Sequence, residues 1–211
     1  MPFRVFVFVL GVSMLSFGIA TVTQAHLGTG SVSSLAYVLT LATGISIGTY
    51  VFATNVFFYL VQLAVSREDA IKKALVQLPT TFLFSACIDL AMPIAGLIAP
   101  ETYFGKIAMV LFGTVVIGFG ISAMVHARLA ILPVEGAVLT VMHRFGGSFG
   151  TLRVTVDVFL VTSAVILSFA VFGELQGVRE GTLIAALLGG YFAKLFLKAW
   201  GRFSHGHTAV D

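Results

Sequence analysis

Apolar residues in this chain run in long blocks rather than alternating with polar ones, and the polar residues collect in short gaps between blocks. A hydrocarbon core about 30 Å thick is crossed by about 20 apolar residues of helix. Six blocks have that length: 3–25, 45–65, 74–98, 106–127, 149–172 and 181–199. Two further apolar segments, 27–44 and 129–146, are too short for another span plus its turns. Each opens with helix-start residues, Ser31 to Ser34 in one and Pro133 with Glu135 in the other. They are expected to be short helices that dip into the bilayer or lie at its face. Pro79 and Pro93 bracket the third block; the first is expected in the opening turn, the second to kink or end the helix.

The same pattern is written twice. Gly44-Ile45-Ser46-Ile47-Gly48-Thr49 returns as Gly146-Gly147-Ser148-Phe149-Gly150-Thr151, 102 residues on. The same offset, without a gap, pairs Phe17-Gly18-Ile19 with Phe119-Gly120-Ile121 and Val56-Phe57 with Val158-Phe159. Such a match indicates duplication. Each copy holds three spans, and an odd number of crossings makes the two copies enter the membrane from opposite sides. The expected fold is therefore an all-α membrane protein. It has six transmembrane helices as two inverted three-helix repeats, each with a short re-entrant or interfacial helix. Residues 1–211 form one polytopic domain, with repeats at 3–99 and 105–200 and a polar cytoplasmic tail at 201–211.

Composition agrees: 58% of the 211 residues are hydrophobic and 10% are charged, against about a quarter charged in average soluble domains. The net charge of +3 is explained by membrane orientation, with no nucleic-acid partner implied. With both termini inside, Arg4, Arg67, Lys72, Lys73, Arg128, Arg144, Lys194, Lys198 and Arg202 fall on the cytoplasmic side. Only Lys106 and Arg179 fall outside, which follows the positive-inside rule. The first block is read as a retained helix, because its repeat partner lies mid-chain and is no signal peptide. The lone Cys87 excludes an intrachain disulfide and a thiolate metal site. The glycines Gly113, Gly118, Gly120, Gly189 and Gly190 are read as helix-packing positions.

Overlaying the repeats exposes an asymmetry. Ser33, Val51, Asn55, Gln77 and Leu78 stand where Glu135, Arg153, Asp157, Arg179 and Glu180 stand in the second half. Charges at membrane depth are expensive and usually pair or line a watered cavity. Arg153 and Asp157, four apart, share a helix face. They are either an anion-receiving Arg with its Asp, or a structural pair near the cytoplasmic interface. Glu180 and Glu135 sit at helix starts, where simple capping accounts for them as well as ligand binding does. Asp89, alone in the third span, is expected to pair with an Arg of another helix or to titrate. His205 and His207 are read as solvated residues of a loose tail. No phosphate loop, zinc motif or heme attachment is present, and the repeated Gly-x-Ser-x-Gly strings lack the strand–turn–helix setting of a nucleophile elbow. Neither an enzyme nor a cofactor is expected.

Several strings together resemble the YczE/YyaS/YitT family of bacterial integral membrane proteins. They are Ala25-His26-Leu27-Gly28-Thr29-Gly30-Ser31, Leu132-Pro133-Val134-Glu135-Gly136, Phe149-Gly150 followed by Asp157, and Gly177-Val178-Arg179-Glu180-Gly181-Thr182. The resemblance covers nearly the whole chain and implies a small polytopic protein of the bacterial cytoplasmic (inner) membrane, in a family described as uncharacterised or as permeases. It picks out Glu135, Asp157, Arg179 and Glu180. One departure is Ala130-Ile131-Leu132 where the first repeat has Gly28-Thr29-Gly30; if those glycines shape a ligand loop, only the first half keeps it. The leading expectation is a secondary transporter or permease of a small anionic or zwitterionic solute. Arg153 and Arg179, with Asn55, Gly28, Thr29 and Gly30, would bind the solute. Asp157, Glu135, Glu180 or Asp89 would supply charge partners and proton coupling. The expected partners are the bilayer and the solute, with a homodimer left open. Rival readings are a substrate-capturing subunit of an energy-coupling-factor importer and a non-transporting scaffold or regulator.

Overall fold

A computed structural model describes residues 2–205. Its elements are α1 (Pro2–Gln24), α2 (Ser31–Thr43), α3 (Ile47–Val65), α4 (Arg67–Leu97), α5 (Tyr103–Ala127), α6 (Pro133–Phe145), α7 (Phe149–Phe172) and α8 (Glu180–His205). All six long helices are long and apolar enough to cross a membrane, so the chain is a helical, multi-pass membrane protein. The spans fall within a few residues of those read from the apolar blocks. The short helices α2 and α6 have 13 residues each, about 20 Å at 1.5 Å per residue, well short of a 30 Å core.

The repeated Gly-x-Ser-x-Gly-Thr string is a joint between helices. Gly44 ends α2 in the left-handed region with φ 75°. Ser46 then caps α3 by accepting from the Thr49 N–H at 3.2 Å. Ser148 repeats that cap on α7, accepting from the Thr151 N–H at 3.1 Å. Two prolines depart from the reading of the sequence: Pro79 is well inside α4 rather than in its opening turn, and Pro93 does not end it. Pro79 removes the N–H that would reach Leu75 O and Pro93 the one that would reach Asp89 O, and α4 continues past both. At the other end of the chain, α8 continues to His205, into the segment expected to be loose. The side chains of residues 201–205, His205 among them, and the whole of 206–211, which includes His207, lie outside the described residues.

Antiparallel α1 and α5 form the centre, and small residues let them approach. A Cβ on Gly11 would lie 3.0 Å from Gly120 O, and one on Gly18 would lie 2.8 Å from Gly113 O. Gly11 and Gly113 are one repeat offset apart, as are Gly18 and Gly120, so each glycine meets the partner of the other. Around this pair α1 packs on α4, α5 on α8, α3 on α4 and α6, and α2 on α3 and α7. Arg4 marks one end of the bundle, where Nε donates to Ala127 O at 3.0 Å and Nη2 to Arg128 O at 3.3 Å, closing the C-terminus of α5. Gln24 marks the other end.

Candidate functional site

Ser148 fixes the start of α7, and two residues one turn apart on that helix, Arg153 and Asp157, then face the starts of both short helices. Arg153 Nη1 is 2.9 Å from Glu135 Oε1, in the first turn of α6. Its Nε is 3.2 Å from Asp157 Oδ2. Asp157 Oδ1 in turn accepts from Ser31 Oγ at 2.6 Å, at the first residue of α2. One guanidinium is thus shared by two carboxylates, each beside a helix N-terminus whose free N–H groups favour negative charge. The side chains are 24%, 33% and 30% exposed for Arg153, Glu135 and Asp157. The α2 start that the cluster touches lies eight residues into α7, about 12 Å along it.

A small core holds the two helix starts together. Phe58 of α3, Leu160 of α7, and Val134 and Ala137 of α6 are buried in it, with Val32 and Leu35 of α2 packed against them. Phe58 with Leu160, Val32 with Val134, and Leu35 with Ala137 are each 102 apart. The first half has no charge at the equivalent places: Ser33, Val51 and Asn55 are all buried, and Asn55 Oδ1 lacks a hydrogen-bond partner among the described residues.

The other residues proposed from sequence go elsewhere. Arg179, about half exposed, reaches Glu180 at 3.3 Å and His26 O at 3.5 Å, near the Gln24 end and apart from Arg153. There the loop 26–30 is clamped to 177–182. The Thr29 N–H donates to Gly177 O at 3.0 Å, and the Gly181 N–H to Leu27 O at 2.7 Å. Gly28 has φ +110°, and a Cβ there would strike Thr182 Oγ1, so a side chain is excluded twice over. Gly28 and Thr29 therefore serve a closed contact between the two halves, and Gly30 is the N-cap of α2. Asp89 has no Arg partner among the described residues: it accepts from Ser46 Oγ and from the Gly48 N–H, both at 2.7 Å, and so closes the N-terminus of α3 from a neighbouring helix.

At the opposite end the equivalent contact is open. Residues 75–80, which match 177–182, are inside α4, and a cavity of about 600 Å³ separates α4 from the loop 128–132. Its lining includes Val76, Gln77, Leu132, Glu135 and Gly136, so it reaches the first turn of α6. Gln62 Nε2 donates to Pro133 O at 3.0 Å and Gln62 Oε1 accepts from Gln77 Nε2 at 3.4 Å. Reading the sequence passed over Gln62 altogether and took Gln77 only as the neutral counterpart of Arg179; two glutamines facing one another inside spans were the available signal.

No solved structure matches the chain. The uncharacterized protein YyaS of Bacillus subtilis (strain 168) is 24% identical over 189 residues, covering 89% of each chain, in keeping with the resemblance read from the motifs. A profile of a protein family of unknown function, DUF6198, matches residues 2–198. This chain, a helical membrane protein with Arg153, Glu135 and Asp157 gathered where two short helices begin, belongs to that DUF6198 family.

Proposed function

We propose that this protein is a proton-coupled secondary transporter of a small anionic or zwitterionic solute, with Arg153, Glu135 and Asp157 at its binding site. The observation that carries the reading is the shared guanidinium at the meeting of two helix starts: Glu135, one of its two carboxylates, also lines a cavity at one end of the bundle, and at the other end the loop 26–30 is clamped to 177–182. With both carboxylates charged, two edges of Arg153 are occupied. Protonating Asp157 or Glu135 frees an edge and removes an anion from a helix N-terminus, and a solute carboxylate or phosphate fits both vacated partners. Solute and proton then arrive together, and the charge of the site is unchanged.

The crossed glycine pairs of α1 and α5, and the core built from residues 102 apart, support two halves related by an axis in the membrane plane. The basic residues support both termini on the cytoplasmic side of the bacterial inner membrane. On that reading the cavity opens inward and the clamp is the outer gate, and exchange of the two arrangements moves the solute. The test is proton movement in proteoliposomes holding an internal pH dye, challenged with organic anions and zwitterions. Wild type is expected to show solute-dependent acidification that Asp157→Asn abolishes. Solute-independent traces across the set would remove the proposal.

One observation favours a scaffold instead: Arg153 already has both its partners. A scaffold would tolerate neutralising all three residues together, with its cellular role intact.

A further inference from the structure

The cavity has a chemistry of its own, graded along its length. At the Arg4 end its rim carries Lys72 and Lys73 on α4 and Arg128 after α5, all exposed. No ion pair among the described side chains involves them. From the level of Arg128, whose carbonyl Arg4 holds, the lining extends along α1 to Leu15, eleven residues or about 16 Å on. That far end is apolar, walled by Leu15, Ile121 and Met124. Between rim and far end lies Gln77, four residues or about 6 Å beyond Lys73. Gln77 is 3% exposed, and its Oε1 has no hydrogen-bond partner among the described residues. Glu135 Oε2, in the same lining, is also without one.

A buried acceptor without a donor is costly, so the middle of the cavity calls for a ligand N–H or O–H. The rim calls for an anion, since basic pockets between membrane helices on the cytoplasmic side suit acidic headgroups. The far end calls for hydrocarbon, and about 600 Å³ is within the range of ligand pockets. We infer that the cavity binds a single-chain amphiphilic anion: a phosphate headgroup on Lys72, Lys73 and Arg128, a neighbouring hydroxyl on Gln77, and one acyl tail against Leu15 and Ile121. Monoacyl glycerophosphates have these three parts in this order. The inference does not rest on the transport reading, since the phosphate is held at the rim and not on Arg153.

Native mass spectrometry of the full chain, released from a neutral sugar detergent, tests binding directly. Lysophosphatidic acid is titrated against lysophosphatidylcholine, which keeps the tail and hydroxyl but is zwitterionic, and against inorganic phosphate. One saturable lysophosphatidic acid adduct is expected, weakened at least tenfold in K72A/K73A/R128A and several-fold in Gln77→Leu. Filling the far end with Ile121→Trp is expected to remove it while the rim stays intact. Equal binding of lysophosphatidylcholine, equally tight binding of phosphate alone, or an unchanged affinity in the triple variant would overturn the inference. A saturable adduct without lysophosphatidic-acid-dependent proton movement in proteoliposomes would support the site and remove this molecule as the transported solute.

Discussion

Replacing Arg153 by Met removes the only cation of the cluster and leaves Glu135 and Asp157 facing one another across its place. Breaking a fully buried pair costs about 3–5 kcal/mol, whereas an exposed pair is worth about 0–1. With the three side chains 24–33% exposed, and two pairs lost at once, the expected loss lies between these limits, about 2–3 kcal/mol. Asp157 keeps Ser31 Oγ and the start of α2, so most of the loss falls on Glu135, whose Oε2 already lacks a partner. Neutralising all three, in E135Q/R153M/D157N, leaves no uncompensated charge and should return stability to within about 1 kcal/mol of wild type. The assay is reversible unfolding in mixed micelles with increasing SDS. A single variant as stable as wild type, or a triple variant no better than the single one, would refute the view that these charges balance one another.

Gly18→Ala should lose about 2–3 kcal/mol in the same assay, because the new Cβ would meet Gly113 O at 2.8 Å and force α1 from α5; Gly190→Ala, with nothing within 4 Å, is the neutral control. Asp89→Ala should cost about 1–2 kcal/mol by opening the start of α3, and its proton movement in proteoliposomes should match wild type.

Much of this molecule is readable without coordinates, and the parts that are not have physical causes. The six spans and both short helices follow from block length alone, since lipid demands a run of apolar residues. Arg153 with Asp157 follows from helix spacing, but the bond from Arg153 to Glu135 depends on α6 folding back onto α7. The partners of Asp89 lie 41 and 43 residues away on α3 and its cap, a contact that no local pattern encodes. Most hidden was the cavity. It exists because α4 begins at Arg67, whereas α8 begins at Glu180, so the first half has helix where the second has a clamping loop. The charged residues from Arg67 to Lys73 hid this, because a scan for apolar blocks stops at polar residues that a helix continues through.

The central claim is that the two ends of the bundle exchange between open and closed. Ile131, beside the cavity, is 48% exposed, and Thr29, in the clamp, is 1% exposed. Single cysteines at these positions, in a Cys87→Ser background, can be labelled with a membrane-impermeant maleimide in vesicles of each orientation. At neutral pH the account predicts labelling at position 131 from the Arg4 side and protection at position 29. A solute anion that takes the place of a carboxylate on Arg153 should let the halves exchange, so that position 29 becomes labelled from the opposite side while position 131 is protected. Labelling that stays fixed at both positions across pH and solutes would contradict the account and leave a static membrane scaffold.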